Sequence, residues 1–292
     1  MDSRFEEYLK TAERGLYDIF PAGDLPQGRL IRAEKYSLSA GGKRIRPVLT
    51  LAFCEMCGGD PENAADAARA VEYLHTSSLI HDDLPCMDND DMRRGQPSCH
   101  KAFGEATALL AGDALEILPF RIIAESRRIS PSAAVKCISA LARCAGSGGM
   151  LGGQQIDSAY ENGQVPDELI LPMYSMKTSA LIKAACLCGV YCAESGNEER
   201  YAEKASEYAE NLGLAFQIID DILDVTSTDE VLGKPVGSDA EQNKNTYVRA
   251  YGQEAAEKAA AEYTAKALGA LGYFEDNGFL TELTKSLLKR KK

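Results

Sequence analysis

Apolar residues recur at three- and four-residue intervals along almost the whole chain, and alternating strand-like runs are scarce. The spacing predicts helices over 3–19, 28–38, 45–57, 61–82, 101–127, 131–147, 167–193, 198–223, 252–270 and 277–289. Turn-forming punctuation falls between them: Pro21-Ala-Gly, Gly58-Gly-Asp-Pro, Arg94-Gly-Gln-Pro, Gly146-Ser-Gly-Gly and Gly233-Lys-Pro. Asp60 before Pro61 is suited to cap a helix and open its first turn. No gap has the composition of a flexible linker and no solenoid period is present. The expectation is a single all-α domain spanning residues 1–292.

Within this pattern two helix ends echo one another. Leu79-Ile-His-Asp-Asp-Leu84 and Ile218-Ile-Asp-Asp-Ile-Leu223 each finish an apolar run on an Asp-Asp pair, which predicts two acidic ends facing across a cavity. Asp220 and Asp224 lie one helical turn apart and point the same way. Like charges so placed need compensation, and Mg²⁺ held by one or two carboxylates plus substrate phosphate supplies it. Asp82 and Asp88 would diverge on an unbroken helix, so Pro85 is expected to break it and let the loop bring Asp88 back. Either motif alone fits a solvated acidic face equally well; two, each after an apolar helix, favour metal. An EF-hand is excluded, because counting from Asp88 puts Met92 and Arg93 where a ligand and a glycine are needed.

Charge refines the picture. The chain carries a formal net charge of −12, against nucleic acid or anionic lipid as partners. An anionic substrate therefore requires local cations, and several are available. Gly41-Gly-Lys43-Arg44-Ile-Arg46-Pro47 sets three at a loop-to-helix junction, a place that favours anions. It is not a Walker loop, since Ser37 stands where the first glycine belongs. Arg93 and Arg94 follow the first acidic motif, Lys177 and Thr178 lie within a helix, and Lys234 and Lys244 follow the second motif. Any one of these fits a solvated face. Together with metal-holding carboxylates they describe a diphosphate clamped from both sides, its leaving charge neutralised by Mg²⁺ and Arg/Lys. His75 shares a helix face with Asp82; His81 and His100 have no such support. No nucleophile elbow, HExxH or GxGxxG motif is present, and ionisation of an allylic diphosphate needs none of them.

Nine cysteines, at 54, 57, 86, 99, 137, 144, 186, 188 and 192, read as reduced thiols buried in helices rather than as a metal or redox site. The start MDSRFEEYLK shows no apolar signal region, and no stretch reaches the ~20 apolar residues of a membrane span. A cytoplasmic protein without stable membrane insertion is expected.

With GGKRIRP, HTSSLIHDDLPCMDNDDMRRG, GGQQID, KTSALI, FQIIDDILD, LGKPVGSD and NKNTY in view, the sequence resembles the trans-isoprenyl diphosphate synthases of the farnesyl and geranylgeranyl class over almost its whole length. The six-residue interval from Asp82 to Asp88 is similar to the bacterial and plant form of the first motif. The resemblance implies a helical bundle around a deep cavity, usually a homodimer, joining isopentenyl diphosphate to allylic diphosphates (dimethylallyl, geranyl, farnesyl) with about three Mg²⁺ per site. Asp82 and Asp88 would bind two ions, and Asp220, aided by Asp224, the third. Arg93, Lys177, Lys234 and Lys244 would hold the allylic diphosphate. Gly42, Lys43, Arg46, His75 and Arg94 would hold isopentenyl diphosphate. Thr178, Phe216 and Gln217 would line the reacting centre, and Arg290-Lys291-Lys292 would close over the homoallylic site. Asn245 departs from the serine or threonine common after that last lysine.

Product length follows from the same resemblance. Five residues before Asp82, where many farnesyl synthases carry a large aromatic, stands Ser77; Leu74 and Tyr73 lie one turn deeper, ~5.4 Å away. That drops the floor by one isoprene unit and points to geranylgeranyl diphosphate, with farnesyl diphosphate the alternative. A class I terpene cyclase is disfavoured by the intact FQIIDDILD, and a non-catalytic partner subunit by retention of both Asp-rich motifs.

Overall fold

Apolar periodicity becomes helix almost everywhere in the computed structural model, which describes residues 3–160, 165–226 and 246–288. The order is α1 (Ser3–Glu13), α2 (Gly28–Ser39), α3 (Ile45–Met56), a 3₁₀ turn (Pro61–Ala64) running into α4 (Ala65–Asp82), β1 (Met92–Arg93), β2 (Gln96–Pro97), α5 (Cys99–Phe103), α6 (Glu105–Ala124) and α7 (Pro131–Ala145). There follow α8 (Met150–Ala159), α9 (Asp167–Tyr174), a π-helical segment (Ser175–Ser179), α10 (Ala180–Ala193), α11 (Glu198–Thr226), α12 (Tyr247–Tyr251), α13 (Gln253–Leu271) and α14 (Gly278–Leu288). The all-α expectation holds.

Contacts gather the chain into two compact units, Met1–Ser139 with Cys188–Ser195, and Ala140–Leu187 with Gly196–Lys292. The boundaries fall inside α7, inside α10 and between α10 and α11. In the first unit α4 packs along α6 and α3, with Phe53, Tyr73, Leu74 and Leu115 fully buried. Asp60 caps its 3₁₀ turn as predicted, accepting from the amide of Glu62 at 2.9 Å, with Pro61 at the first position. In the second unit α11 packs along α13 over Ile170, Met173, Leu214, Ile218, Ala256 and Ala260.

The differences from the predicted spans have local causes. Helix α1 stops at Glu13 because the chain turns at Gly15, φ 79°. The span 101–127 divides into α5 and α6 at Gly104, φ 82°. Helix α8 is missed by the pattern because glycines interrupt it, and β1–β2 because two-residue strands leave no periodicity. One reading is corrected: the run Asp167–Ala193 is long and apolar enough by composition to cross a bilayer. Here 67% of its apolar window is buried inside the protein and a π segment interrupts it, as in a core helix. Eight of the nine cysteines are buried, Cys86 alone being exposed. Burial pushes the Cys57 thiol up to about 12, where it is a packing group and not a nucleophile.

Candidate active site

The site residues fall into one cluster in each unit. In the first, helix α4 ends at Asp82 because Pro85 cannot continue its ladder. The chain then doubles back: Met87 N–H donates to Leu84 O at 2.8 Å, and Asp88 N–H donates to Asp82 O at 2.9 Å. Asp88 thus sits directly over the helix end, as the break at Pro85 requires. Asp82 and Asp88 are both half-buried, a hard-oxygen pair of the kind Mg²⁺ prefers. Asp83, buried, turns the other way. It accepts from Arg93 Nε at 2.9 Å, and Asp90 Oδ2 meets the same guanidinium at 3.1 Å. Burial raises the Asp83 carboxyl above its usual range, opposed by the hydrogen bond from Arg93.

Arg93 and Arg94 are placed by a two-residue hairpin. Met92 pairs with Pro97 and Arg93 with Gln96, leaving Arg94 and Gly95 at the turn with φ 53° and 79°. Positive φ at both central residues is the type I′ signature that matches strand twist. The turn carries the Arg94 guanidinium to the carbonyl of Gly41 and against Gly42. At φ 130° Gly42 holds a backbone conformation that favours glycine, and a Cβ there would lie 2.7 Å from that guanidinium and push it aside. Arg46 joins the group, donating from Nη1 to His75 Nε2 at 3.3 Å. Burial first, then Arg46 and Arg94, holds His75 well below its ordinary pKa, leaving a neutral acceptor. Burial also lowers Arg46 to about 10. Among the described residues, buried Arg46 Nε finds no hydrogen-bond acceptor. A cationic pocket with an orphaned buried donor is made for an anion. Lys43 is exposed at its edge.

Arg44, the third cation of that loop, does something the pattern did not reveal. It is buried at φ 48°, paired with buried Glu72 and donating to Leu38 O at 2.7 Å, so it anchors the loop. His81 leans on α6, 3.1 Å from Leu109 O and 3.5 Å from Asp113. Tyr73 and Leu74 are fully buried and Ser77 is 2% exposed, its hydroxyl donating to Leu74 O at 2.7 Å.

In the second unit Lys177 and Thr178 lie on the π segment, a rare geometry found mostly as short bulges at functional positions. Helix α8 approaches so closely that a Cβ on Gly153 would stand 2.3 Å from Lys177 N. This brings Asp157 to Lys177 as its ion-pair partner. Thr178 Oγ1 donates to Gln217 Oε1 at 3.0 Å, and Gln217 Nε2 reaches Asp221 Oδ1 at 3.4 Å. Phe216 and Asp220 are half-buried, whereas Asp221 and Asp224 are buried. Asp221 accepts from Tyr174 OH and from Tyr247 N–H at 2.9 Å. Burial, then Asp221, raises the Tyr174 phenol far above its usual range. Lys234, Lys244, Asn245 and Arg290-Lys291-Lys292 lie outside the described residues. Sequence reasoning missed Asp83, Glu72, Asp157, Tyr174 and Asp221 as partners; Asp83 and Asp221 lie within the two Asp-rich motifs and Asp157 within GGQQID, whereas Glu72 and Tyr174 fall outside every motif.

Residues 27–276 match the family model described as polyprenyl synthetase. The chain is 47% identical over 247 residues to geranylgeranyl pyrophosphate synthase 3, chloroplastic, of Arabidopsis thaliana, covering 81% of this chain and 68% of that protein. It is 45% identical to a geranylgeranyl diphosphate synthase of Cyanophora paradoxa, covering 83% and 81%. A geranyltransferase of Helicobacter pylori, solved with magnesium and isoprenyl diphosphate, superposes with a TM-score of 0.84 at 31% identity, covering 99% and 97%. The chain belongs to the polyprenyl synthetase family. Within it the chain is a short-chain trans-prenyltransferase. The cytoplasmic expectation is overturned: the Arabidopsis relative is chloroplastic by name.

Proposed function

We propose that the enzyme condenses isopentenyl diphosphate with dimethylallyl, geranyl and farnesyl diphosphates and releases mainly geranylgeranyl diphosphate. The observation that carries the reading is that one unit holds both Asp88, hydrogen-bonded back to Asp82, and the cations Arg46, against His75, and Arg94, against Gly41. Carboxylates suited to Mg²⁺ and an anion pocket with the orphaned donor of Arg46 are the two needs of a diphosphate reaction.

Gly42, Lys43, Arg46, His75 and Arg94 hold isopentenyl diphosphate in this reading; neutral His75 orients Arg46 without adding charge. Arg93, steadied by Asp83 and Asp90, serves the allylic diphosphate with Lys177, Lys234 and Lys244. Asp82 and Asp88 would hold two Mg²⁺ and Asp220, with Asp224, a third; the ions would neutralise the departing diphosphate. Thr178, Phe216 and Gln217 border the reacting carbons, and the released diphosphate accepts the final proton. The geranylgeranyl names of the two relatives support the twenty-carbon product. A homodimer is part of the proposal, with exposed Leu109, Leu110 and Ile117 of α6 as the apolar face to be covered; light scattering of purified protein tests it.

The deciding experiment incubates purified protein with Mg²⁺, isopentenyl diphosphate and each allylic diphosphate, then identifies the alcohol after dephosphorylation. Geranylgeraniol is expected. Cyclised hydrocarbon, or no condensation at all, would overturn the reading.

A further inference from the structure

The π segment and α11 meet through two rungs of matching spacing. Tyr174, immediately before the segment, donates to Asp221, and Thr178, four residues later, donates to Gln217, four residues before Asp221. Gln217 Nε2 closes the ladder onto Asp221 Oδ1 at 3.4 Å. A third strand joins at Tyr247, whose amide is shared between Asp221 Oδ2 at 2.9 Å and Tyr174 OH at 3.0 Å. Asp221 therefore accepts three hydrogen bonds from protein donors at a position 2% exposed to solvent. Its neighbour Asp220, one residue earlier on the helix, points about 100° away and is half-buried.

We propose that Asp221 and Tyr174 are positioning residues: they lock the π segment to α11, so that Lys177 and Thr178 keep a fixed place relative to Asp220. The adjacent aspartates divide the labour, Asp220 addressing metal and Asp221 the protein frame. This rests on the proposed role of Asp220, and it assigns Asp221 no metal. A lost rung lets a π segment relax towards plain helix, and a displacement of ~1 Å at a reacting centre is worth up to ~100-fold in rate.

The test uses the full chain with Tyr174→Phe, Asp221→Asn, the double variant and Asp220→Asn. Condensation kinetics are run against allylic diphosphate and against Mg²⁺, Mg²⁺-dependent binding of inorganic diphosphate is measured by calorimetry, and melting is followed by circular dichroism. Tyr174→Phe and Asp221→Asn should each lower kcat by roughly 10- to 100-fold. The double variant should fall no further than the worse single one, because both cut one rung. Half-saturating Mg²⁺ should stay within about twofold of wild type in all three, the allowance given to energetically neutral change. Two results overturn the proposal: kcat of folded protein unchanged despite a lowered melting temperature, or Asp221→Asn raising the Mg²⁺ requirement while Tyr174→Phe is silent. Asp220→Asn separates the underlying reading, which fails if that variant keeps wild-type Mg²⁺ dependence; the rung variants are judged on kcat and additivity whichever way it falls.

Discussion

The amide of Asp88 is hydrogen-bonded to the carbonyl of Asp82 at 2.9 Å, so two carboxylates six positions apart become neighbours at one helix end. The bond exists because Pro85 ends α4 and leaves that carbonyl without its helical donor. Both acidic ends are expected to be needed for turnover. Asp82→Ala and Asp220→Ala should each reduce kcat at least ~10²–10³-fold while remaining folded, the usual cost of removing one pre-organised charge-stabilising group. Near-normal turnover of either variant, measured with saturating substrates, would sink the metal assignment.

The cations should divide by substrate. Lys43→Ala, Arg46→Ala and Arg94→Ala are expected to raise the KM for isopentenyl diphosphate most, since Arg46 and Arg94 converge with Gly42 and His75 in one pocket. Arg93→Ala and Lys234→Ala should act instead on the allylic substrate and on kcat. Kinetics with each diphosphate varied in turn would refute the division if all five behaved alike.

Product length should respond to Ser77. The hydroxyl of Tyr73 is tied to Leu16 O at 2.7 Å and its ring meets Phe20 edge-on, so the side chain proposed as the floor is held in place. Ser77→Tyr is expected to shift the main product from twenty carbons to fifteen, and Ser77→Met to give a mixture. Because Ser77 is packed, the larger side chain should also cost about 1–3 kcal/mol of stability, readable in a melt. Unchanged products from a folded variant would place the floor elsewhere.

Glu34, buried on α2, sets a pH dependence of stability. Burial pushes its carboxyl from 4.5 up to about 7. Between these values the folded chain keeps a proton that the unfolded chain has lost, so stability falls as pH rises through that window. Glu34→Gln should therefore raise the melting temperature at pH 8, by an amount corresponding to on the order of 2–3 kcal/mol, and leave it unchanged near pH 4. An offset of equal size at both pH values would exclude ionisation as the cause.

Much of this was legible in the residues. Helix spans could be read because a 3.6-residue apolar period survives in almost every element, and the return of Asp88 because proline leaves the chain no alternative. What escaped was held by partners far apart in sequence. Arg44 was visible only as one of three cations at a loop-to-helix junction, and its pairing with Glu72, twenty-eight positions on, makes it an anchor. Helical spacing set Asp220 and Asp224 on one face but gave Asp221 no role, which its partners Tyr174 and Tyr247 supply. The Arg94–Gly95 turn was visible as punctuation, but not the hairpin that aims Arg94 at Gly41, since two-residue strands carry no pattern.

The π segment at 175–179 has a consequence for insertions and deletions. Its turn is wider than an α-turn by one residue, so removing any one of the five would restore ordinary helix without disturbing the apolar composition of the core. The helices on either side would keep their register, while side chains within the turn would be re-aimed by up to about 100°. Tyr174, Lys177 or Thr178 would no longer meet its partner, although most or all of the three remained in the sequence. An inventory of motif residues is blind to such a change; the number of positions between Tyr174 and Ala180 is as much a determinant of activity as their identity.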